Sequence, residues 1–373
     1  MRAPLAGRAV AVVVGCLGVV ACGGGRAGYG HDGAFGPEVG LPIPVRTTSV
    51  VAEGCNLDPW QMAALQEPET QRLVTQLILV CPTIRSTGEV APVDAASRAT
   101  LAATVSAVRS LGFSVHLGVT MGDDGTTFPV PYSAAETTAA FASATWQASV
   151  SQGLVPFAAM ADGIEMDLLG MPGAVRPQMT QLFVLLDGAL RKTAPLGLMA
   201  PPSTMSPSDT AGGDAFDLAQ IAPHVDRVRM MTLDYSNSSG PGPDIDPSWA
   251  AASAAFAQSL VSVPVDIAFP LYGTDFSPLG TRFVSYDEAR AIAAEQHITV
   301  GNDARDSASG ELSFTWTDDA NIGHQTWFED GVSASVTLNA WTPPTVPASV
   351  GVLLYGLGAE DPSLWTTLAR ALP

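Results

Sequence analysis

Nine residues constrain this chain more than any others: Asp162-Gly163-Ile164-Glu165-Met166-Asp167-Leu168-Leu169-Gly170. Ile164, Met166 and Leu168 alternate with Glu165, Asp167 and Leu169, the period of two that marks a strand. The second set puts two acids where a strand between helical runs should be buried. A buried carboxylate is costly unless paired or hydrogen-bonded, so such a strand is expected to serve a site as well as a core.

From residue 45 onward, β-type apolar runs alternate with longer helical patterns, which predicts repeated βα units and a parallel sheet. Strands are expected at 47–54, 76–81, 113–121, from 162, and at 196–200, 227–235, 265–272 and 350–357. Helical spacing falls at 60–74, 93–111, 134–155, 176–192, 216–224, 247–261 and 362–372. The expected class is α/β, a (β/α)8 TIM barrel over 46–373. Between the seventh and eighth strands the rhythm breaks. Residues 277–345 mix a helical pattern at 285–296 with short strands at 298–300, 311–317 and 324–328. They predict a small α+β insertion on the C-terminal rim, one wall of a groove.

The N-terminus reads as a targeting signal. Arg2 and Arg8 precede an apolar run over 9–21, shorter than the ~20 residues of a membrane span. Val19-Val20-Ala21-Cys22, followed by three glycines, resembles a bacterial lipoprotein cleavage site over 1–22, with Cys22 lipidated. The competing reading is an ordinary secretory signal. Both predict export, either secreted or held on a membrane by a lipid anchor alone. Residues 23–45, rich in Gly and Pro, form a linker. Cys55 and Cys81 then remain, near the ends of the first two strands; they either pair in an oxidising compartment or stay as buried thiols.

A formal net charge of −19 argues against a nucleic-acid or anionic-membrane partner, while 47% hydrophobic residues are enough for a large core. No histidine cluster, cysteine pair of metal-binding spacing or Gly-rich phosphate loop points to a metal or cofactor, and a monomer is expected. In a barrel the chemistry belongs at the C-terminal strand ends. Those ends carry Asp167 and Leu169, then Met231, Leu233, Asp234 and Tyr235, then Tyr272 with Asp275 beyond. Tyr355 with Glu360 and Asp361, and Asp123 with Asp124, complete the set. Acids among aromatics suit sugar rings, whose C–H faces stack while their hydroxyls bond to carboxylates. Plainer roles compete: a buried polar network for Glu165, a solvated rim for Asp167 and Asp234, an acidic turn for Asp123 and Asp124. Trp60, Trp146 and Trp365 are expected in packing, and Trp327 in the pocket lining.

The 162–170 stretch resembles the fourth-strand signature D-G-x-D-x-D-x-E of glycoside hydrolase family 18, the chitinases and their relatives. Asp162, Gly163, Glu165 and Asp167 fall in register, and Leu169 occupies the place of the catalytic glutamate. Met231-Thr232-Leu233-Asp234-Tyr235 resembles the M-x-Y-D motif, with Leu233 for the tyrosine, and Phe269-Pro270-Leu271-Tyr272-Gly273 resembles P-x-Y-G. Residues 324–330 and 355–362 resemble the spore-cortex and peptidoglycan-acting branch, which usually has tryptophan at Tyr355.

That resemblance implies substrate-assisted catalysis, an exception to the two-carboxylate scheme. The glutamate protonates the leaving oxygen, while the aspartate two residues earlier and the sixth-strand tyrosine orient the substrate acetamide. Asp167 is kept; Leu169 and Leu233 can do neither job. Glu165 points the same way as Leu169 but lies about 13 Å deeper at ~3.3 Å per residue. The expectation is a non-catalytic protein binding N-acetylglucosamine polymers (chitin fragments or peptidoglycan) through Asp167, Met231, Asp234, Tyr235, Tyr272 and Tyr355. The alternatives are a hydrolase with a displaced acid (Asp234, Asp123 or Asp124) and a cell-envelope scaffold without a glycan ligand.

Overall fold

The computed structural model describes residues 48–371, apart from 93–94, 123–131, 205–211, 237–239 and 342–349. The expected signal peptide with Cys22, the linker, and Asp123 and Asp124 therefore lie outside the described residues. Thirteen strands are described: β1 (Thr48–Glu53), β2 (Gln76–Ile84), β3 (Val90–Pro92), β4 (Ser114–Met121), β5 (Gly163–Asp167), β6 (Leu196–Ala200), β7 (Arg227–Met230), β8 (Val265–Pro270), β9 (Gly273–Ser277), β10 (Gly280–Val284), β11 (Leu312–Thr317), β12 (Gly323–Phe328) and β13 (Gly351–Tyr355). Eight of them run parallel in the order β1-β13-β8-β7-β6-β5-β4-β2, and β1 also bonds to β2, so the sheet closes. With helices outside, this is the expected (β/α)8 barrel.

Burial on both faces explains the near-continuous apolar runs of these strands, such as the wholly buried Leu77-Ile78-Leu79-Val80-Cys81 of β2. Capping starts the outer helices. Asp246 accepts from the Trp249 amide at 2.7 Å and Pro247 takes the first helical position of Pro247–Leu260, where its missing N–H costs nothing. Two expected helices are each broken in two. Residues 60–74 become Pro59–Gln66 and Pro68–Leu73, because Pro68 forces Glu67 out of helical geometry. Residues 134–155 become Ala134–Ala142 and Ala144–Met160, where Ser143 turns its hydroxyl to the Trp146 amide and starts a new helix. Cys55 and Cys81, on adjoining parallel segments, are joined by a disulfide.

Inside the barrel, side chains stack in layers two residues apart. The deepest is ionic. Arg229, fully buried, donates from Nε and Nη2 to the two oxygens of Glu165 at 3.1 and 2.9 Å, and from Nη1 to Asp266 and to Ser49 at 3.0 Å. His116 Nδ1 lies 2.8 Å from Glu165 as well. Burial alone would raise the Glu165 pKa, but the Arg229 charge and the His116 and Arg229 hydrogen bonds bring it down to about 2. Two glycines make the space: a Cβ on Gly197 would sit 1.8 Å from Glu165 Oε2, and one on Gly163 2.3 Å from the His116 ring. Glu165 is thus part of the buried polar network. Above it comes an apolar layer containing Val51, Ile78, Met199, Met231, Ala268 and Leu353.

The insertion is a four-stranded sheet, β10-β9-β12-β11, with the helix Tyr286–Glu295 and its own core of Val284, Ala289, Ala293, Leu312, Phe314 and Phe328. It begins at Gly273, ahead of the expected residue 277. Helix Gly331–Ala340, inside the expected 277–345 range, packs with the barrel through Ala334, Leu338 and Trp341. Residues 298–300 form no strand; Ile298 and Val300 pack as irregular backbone. Where insertion meets barrel, Glu311 accepts from the Asp244 and Ile245 amides, both at 3.0 Å, and Thr274 donates to Asp244 at 2.6 Å. Asp244, Glu311 and Glu329 are all pushed well above the usual carboxylate range, first by burial and then by neighbouring negative charge.

Candidate functional site

β1, β5 and β7 each carry the barrel interior upward to one open mouth. Ser49, Val51 and Glu53 step by two along β1, as do Glu165, Asp167 and Leu169 through β5, and Arg229, Met231 and Leu233 through β7. The uppermost members open into a pocket of about 450 Å³, within the usual range for small-ligand sites. β7 ends at Met230, short of the expected 235, and Asp234 adopts a left-handed conformation at φ 58°. That conformation is strained for a residue with a Cβ, and the turn brings Asp234 back over the barrel mouth.

Asp167, Leu169, Met231, Leu233, Asp234, Tyr272 and Tyr355 all line this one pocket. Leu169 is 40% exposed at its edge, while Leu233 is buried. The Tyr272 hydroxyl donates to Asp234 Oδ1 at 2.9 Å. Its ring meets Tyr355 edge-on at 6.4 Å between centroids and Phe283, from the insertion, at 4.7 Å. The insertion therefore does form one wall.

Other expected site residues lie elsewhere. Tyr235 is absent from the lining; its ring packs on Trp249 at 5.3 Å, because the turn at Asp234 sends the next side chain outward. Trp327 is also outside, on β12 of the insertion sheet. Asp275 holds that sheet together, accepting from Thr326 at 2.7 Å and Trp316 at 3.2 Å. Glu360 accepts from Trp365 Nε1 at 3.0 Å, and Asp361 from the Gly331 amide at 3.0 Å, so both brace the chain near the mouth. Trp146 and Trp365 are buried as expected, but Trp60 is 75% exposed.

A further pocket-lining acid is not among the residues expected from the sequence. Glu53, at the end of β1, lines the pocket and accepts a hydrogen bond from the Tyr355 hydroxyl. Its signal was an acid closing an apolar strand, the same anomaly that marks Asp167. Burial and the Asp167 charge raise Glu53 to about 7 against the lesser effect of Tyr355; burial and the Glu165 charge raise Asp167 to about 7. Asp167 is 4% exposed and its Oδ1 has no hydrogen-bond partner. A buried acceptor that no protein group meets is left for water or a ligand to satisfy. Near neutral pH it offers two carboxyls poised between acid and base, and aromatic walls. Among the described residues no group of three or more His, Cys, Asp or Glu is arranged to hold a metal ion.

No protein-family model matches the sequence, and a search of curated proteins finds no significant match. Solved structures do match. The spore cortex-lytic enzyme SleL of Bacillus cereus superposes with a TM-score of 0.69 at 18% identity, over 88% of this chain and 75% of that one. A chitinase from Chromobacterium violaceum gives 0.70 at 20% identity, over 87% and 98%. A class V chitinase from Pseudomonas fluorescens gives 0.71 at 19% identity, over 88% and 99%. At such identities the likeness speaks for the fold.

Proposed function

Starting from a chitinase-like barrel of the glycoside hydrolase family 18 kind, we propose that this protein binds N-acetylglucosamine-containing glycans, chitin fragments or peptidoglycan strands, without cleaving them. One observation carries the reading: Asp167, Asp234, Tyr272 and Tyr355 share a single pocket with leucines at 169 and 233. The groups that would hold a sugar are together, and an alkyl chain stands where the acid belongs. General acid catalysis is typically worth 10²–10⁴-fold, and a leucine supplies none of it.

Titration of chitooligosaccharides and muropeptides by calorimetry, beside a product assay on the same samples, tests this. Saturable binding without product supports it. Absence of any binding would favour a scaffold without a glycan ligand.

A second reading, a hydrolase with a displaced acid, is favoured by Glu53 and Asp167, both raised to about 7 and so able to carry a proton near neutrality. Asp234 remains a further candidate acid, its carboxylate held by Tyr272. Product release abolished by Glu53→Gln or Asp234→Asn would establish this alternative.

For location we propose export, with Cys22 as the lipid anchor. The Cys55–Cys81 disulfide supports an oxidising compartment. Membrane fractionation of the native protein and a Cys22→Ser variant tests the anchor: release of the variant into the soluble fraction supports it, and unchanged partition contradicts it.

A further inference from the structure

Among the described residues the pocket carries carboxylate acceptors and no cationic donor, its hydroxyls beyond the two tyrosines being those of Thr120 and Ser285. Four acids line it (Glu53, Asp58, Asp167 and Asp234), and among the described residues no Lys, Arg or His does. Both tyrosine hydroxyls are already spent as donors, Tyr355 to Glu53 and Tyr272 to Asp234. The backbone of the adjoining turn is committed as well. The Gly356 and Leu357 amides both donate to the Val51 carbonyl at 3.2 and 2.8 Å, and the Gly358 amide donates to Glu360 at 2.6 Å. Against this stands Asp167, a buried carboxyl that lines the cavity and whose Oδ1 has no hydrogen-bond partner.

We infer that the pocket selects an aminosugar unit bearing a free primary ammonium, held between the Glu53 and Asp167 carboxylates with its ring against Tyr272 and Tyr355. This rests on the glycan-binding reading and narrows it to partly de-N-acetylated chains, in which a glucosamine unit takes the pocket and N-acetylated units continue the glycan on either side. An acetamide brings one N–H donor and a carbonyl that itself needs a donor; an ammonium brings three donors, needs none, and neutralises charge that burial penalises. Buried carboxylates are tolerated when a cation pairs with them in hydrogen-bonding geometry, and nothing in the lining supplies that cation. The chain's net charge of −19 draws a cationic ligand toward the mouth.

Glucosamine oligomers and N-acetylglucosamine oligomers of equal length are titrated into the full protein by calorimetry at pH 6.5, in buffers of different ionisation enthalpy. The glucosamine oligomer should bind at least tenfold more tightly and release protons, seen as a buffer-dependent heat, as the carboxyls ionise around the ammonium. The N-acetylated oligomer should release none. Glu53→Gln, isosteric and uncharged, should bring the two affinities to within about threefold of each other. Should that variant fail to fold, proton release by the wild-type protein still decides. Equal or tighter binding of the N-acetylated oligomer, or a preference unaltered in Glu53→Gln, overturns the inference and leaves the glycan reading standing. Failure of both oligomers to bind overturns the two together.

Discussion

At position 169 a leucine stands two residues beyond Asp167, and the same step leads from Met231 to Leu233, so two apolar side chains share a pocket with Asp167 and Asp234. If the surrounding pocket is otherwise competent, restoring polarity at both places should restore chemistry. The double variant Leu169→Glu with Leu233→Tyr should release product from a labelled chitooligosaccharide at least about 100-fold faster than the parent, the lower end of what a general acid contributes. A well-folded but inactive variant would show that the pocket has diverged beyond these two positions. The raised carboxyls set a pH signature of their own. In the folded state Asp167 and Glu53 favour the proton, with pKa values of about 7 above ordinary values of 3.8 and 4.5, so their contribution to stability is fully present below pH 4 and is lost as pH rises through 7. Asp167→Asn should therefore stabilise the protein at pH 8 by roughly 1–3 kcal/mol and do little at pH 4. Equal effects at both pH values, measured by urea unfolding, would contradict the raised pKa.

Much of this was visible in the residues. Asp167, Asp234, Tyr272 and Tyr355 were found because strand ends in a barrel converge, and a period of two shows which side chains share the interior. Glu53 is hidden in the sequence because the run before it has the pattern of an ordinary apolar strand. The ionic layer around Glu165 is not legible either: its partners His116 and Arg229, and Asp266 on the far side of Arg229, come from three other strands, and only closure of the sheet brings them together. Tyr235 lies off the pocket because the strand does not run on through Asp234, where the backbone turns left-handed, a break that the apolar pattern does not reveal.

Among the elements, the ionic layer and the insertion seam make contrasting demands. β5, β7 and β8 are tied below the pocket by Glu165, Arg229 and Asp266. Removing Arg229 leaves the buried Glu165 with His116 alone and Asp266 with Arg227 alone, so Arg229→Met should cost about 3–5 kcal/mol in urea unfolding. A loss below about 1 kcal/mol would mean that the acids are solvated. The Glu165 contribution has the opposite pH sense to that of Asp167: present above its ordinary value of 4.5, it is lost as pH falls toward about 2. At the seam, Asp244, Glu311 and Glu329 are raised, so ionisation at higher pH works against the junction. Glu329→Gln should slow hydrogen exchange in β9–β12 at pH 8 and leave it nearly unchanged at pH 5. Faster exchange in the variant at pH 8 would show that ionised Glu329 holds the seam. β9 and β10 escaped the sequence reading because Gly273 and the Ser277-Pro278 step look like loop, and helix Gly331–Ala340 because Val332, Val336 and Thr337 are β-branched.

For the molecule as a whole, the barrel was legible because each strand–helix unit repeats a simple apolar rhythm, whereas the helix breaks at Pro68 and Ser143 depend on single residues inside it. The Cys55–Cys81 bond closes a loop of 26 residues and should add about 3 kcal/mol, largely through the unfolded chain. The double variant Cys55→Ala with Cys81→Ala should unfold at correspondingly lower urea, and an unchanged midpoint would remove the disulfide from the account. The central proposal is that this chitinase-like barrel binds a glycan in its pocket without cleaving it. Incubating the wild-type protein with a labelled chitooligosaccharide, while following bound ligand and released product together, addresses it directly. Saturable binding with no product above the protein-free rate is the predicted result; steady product release that disappears in Glu53→Gln or Asp234→Asn would contradict it.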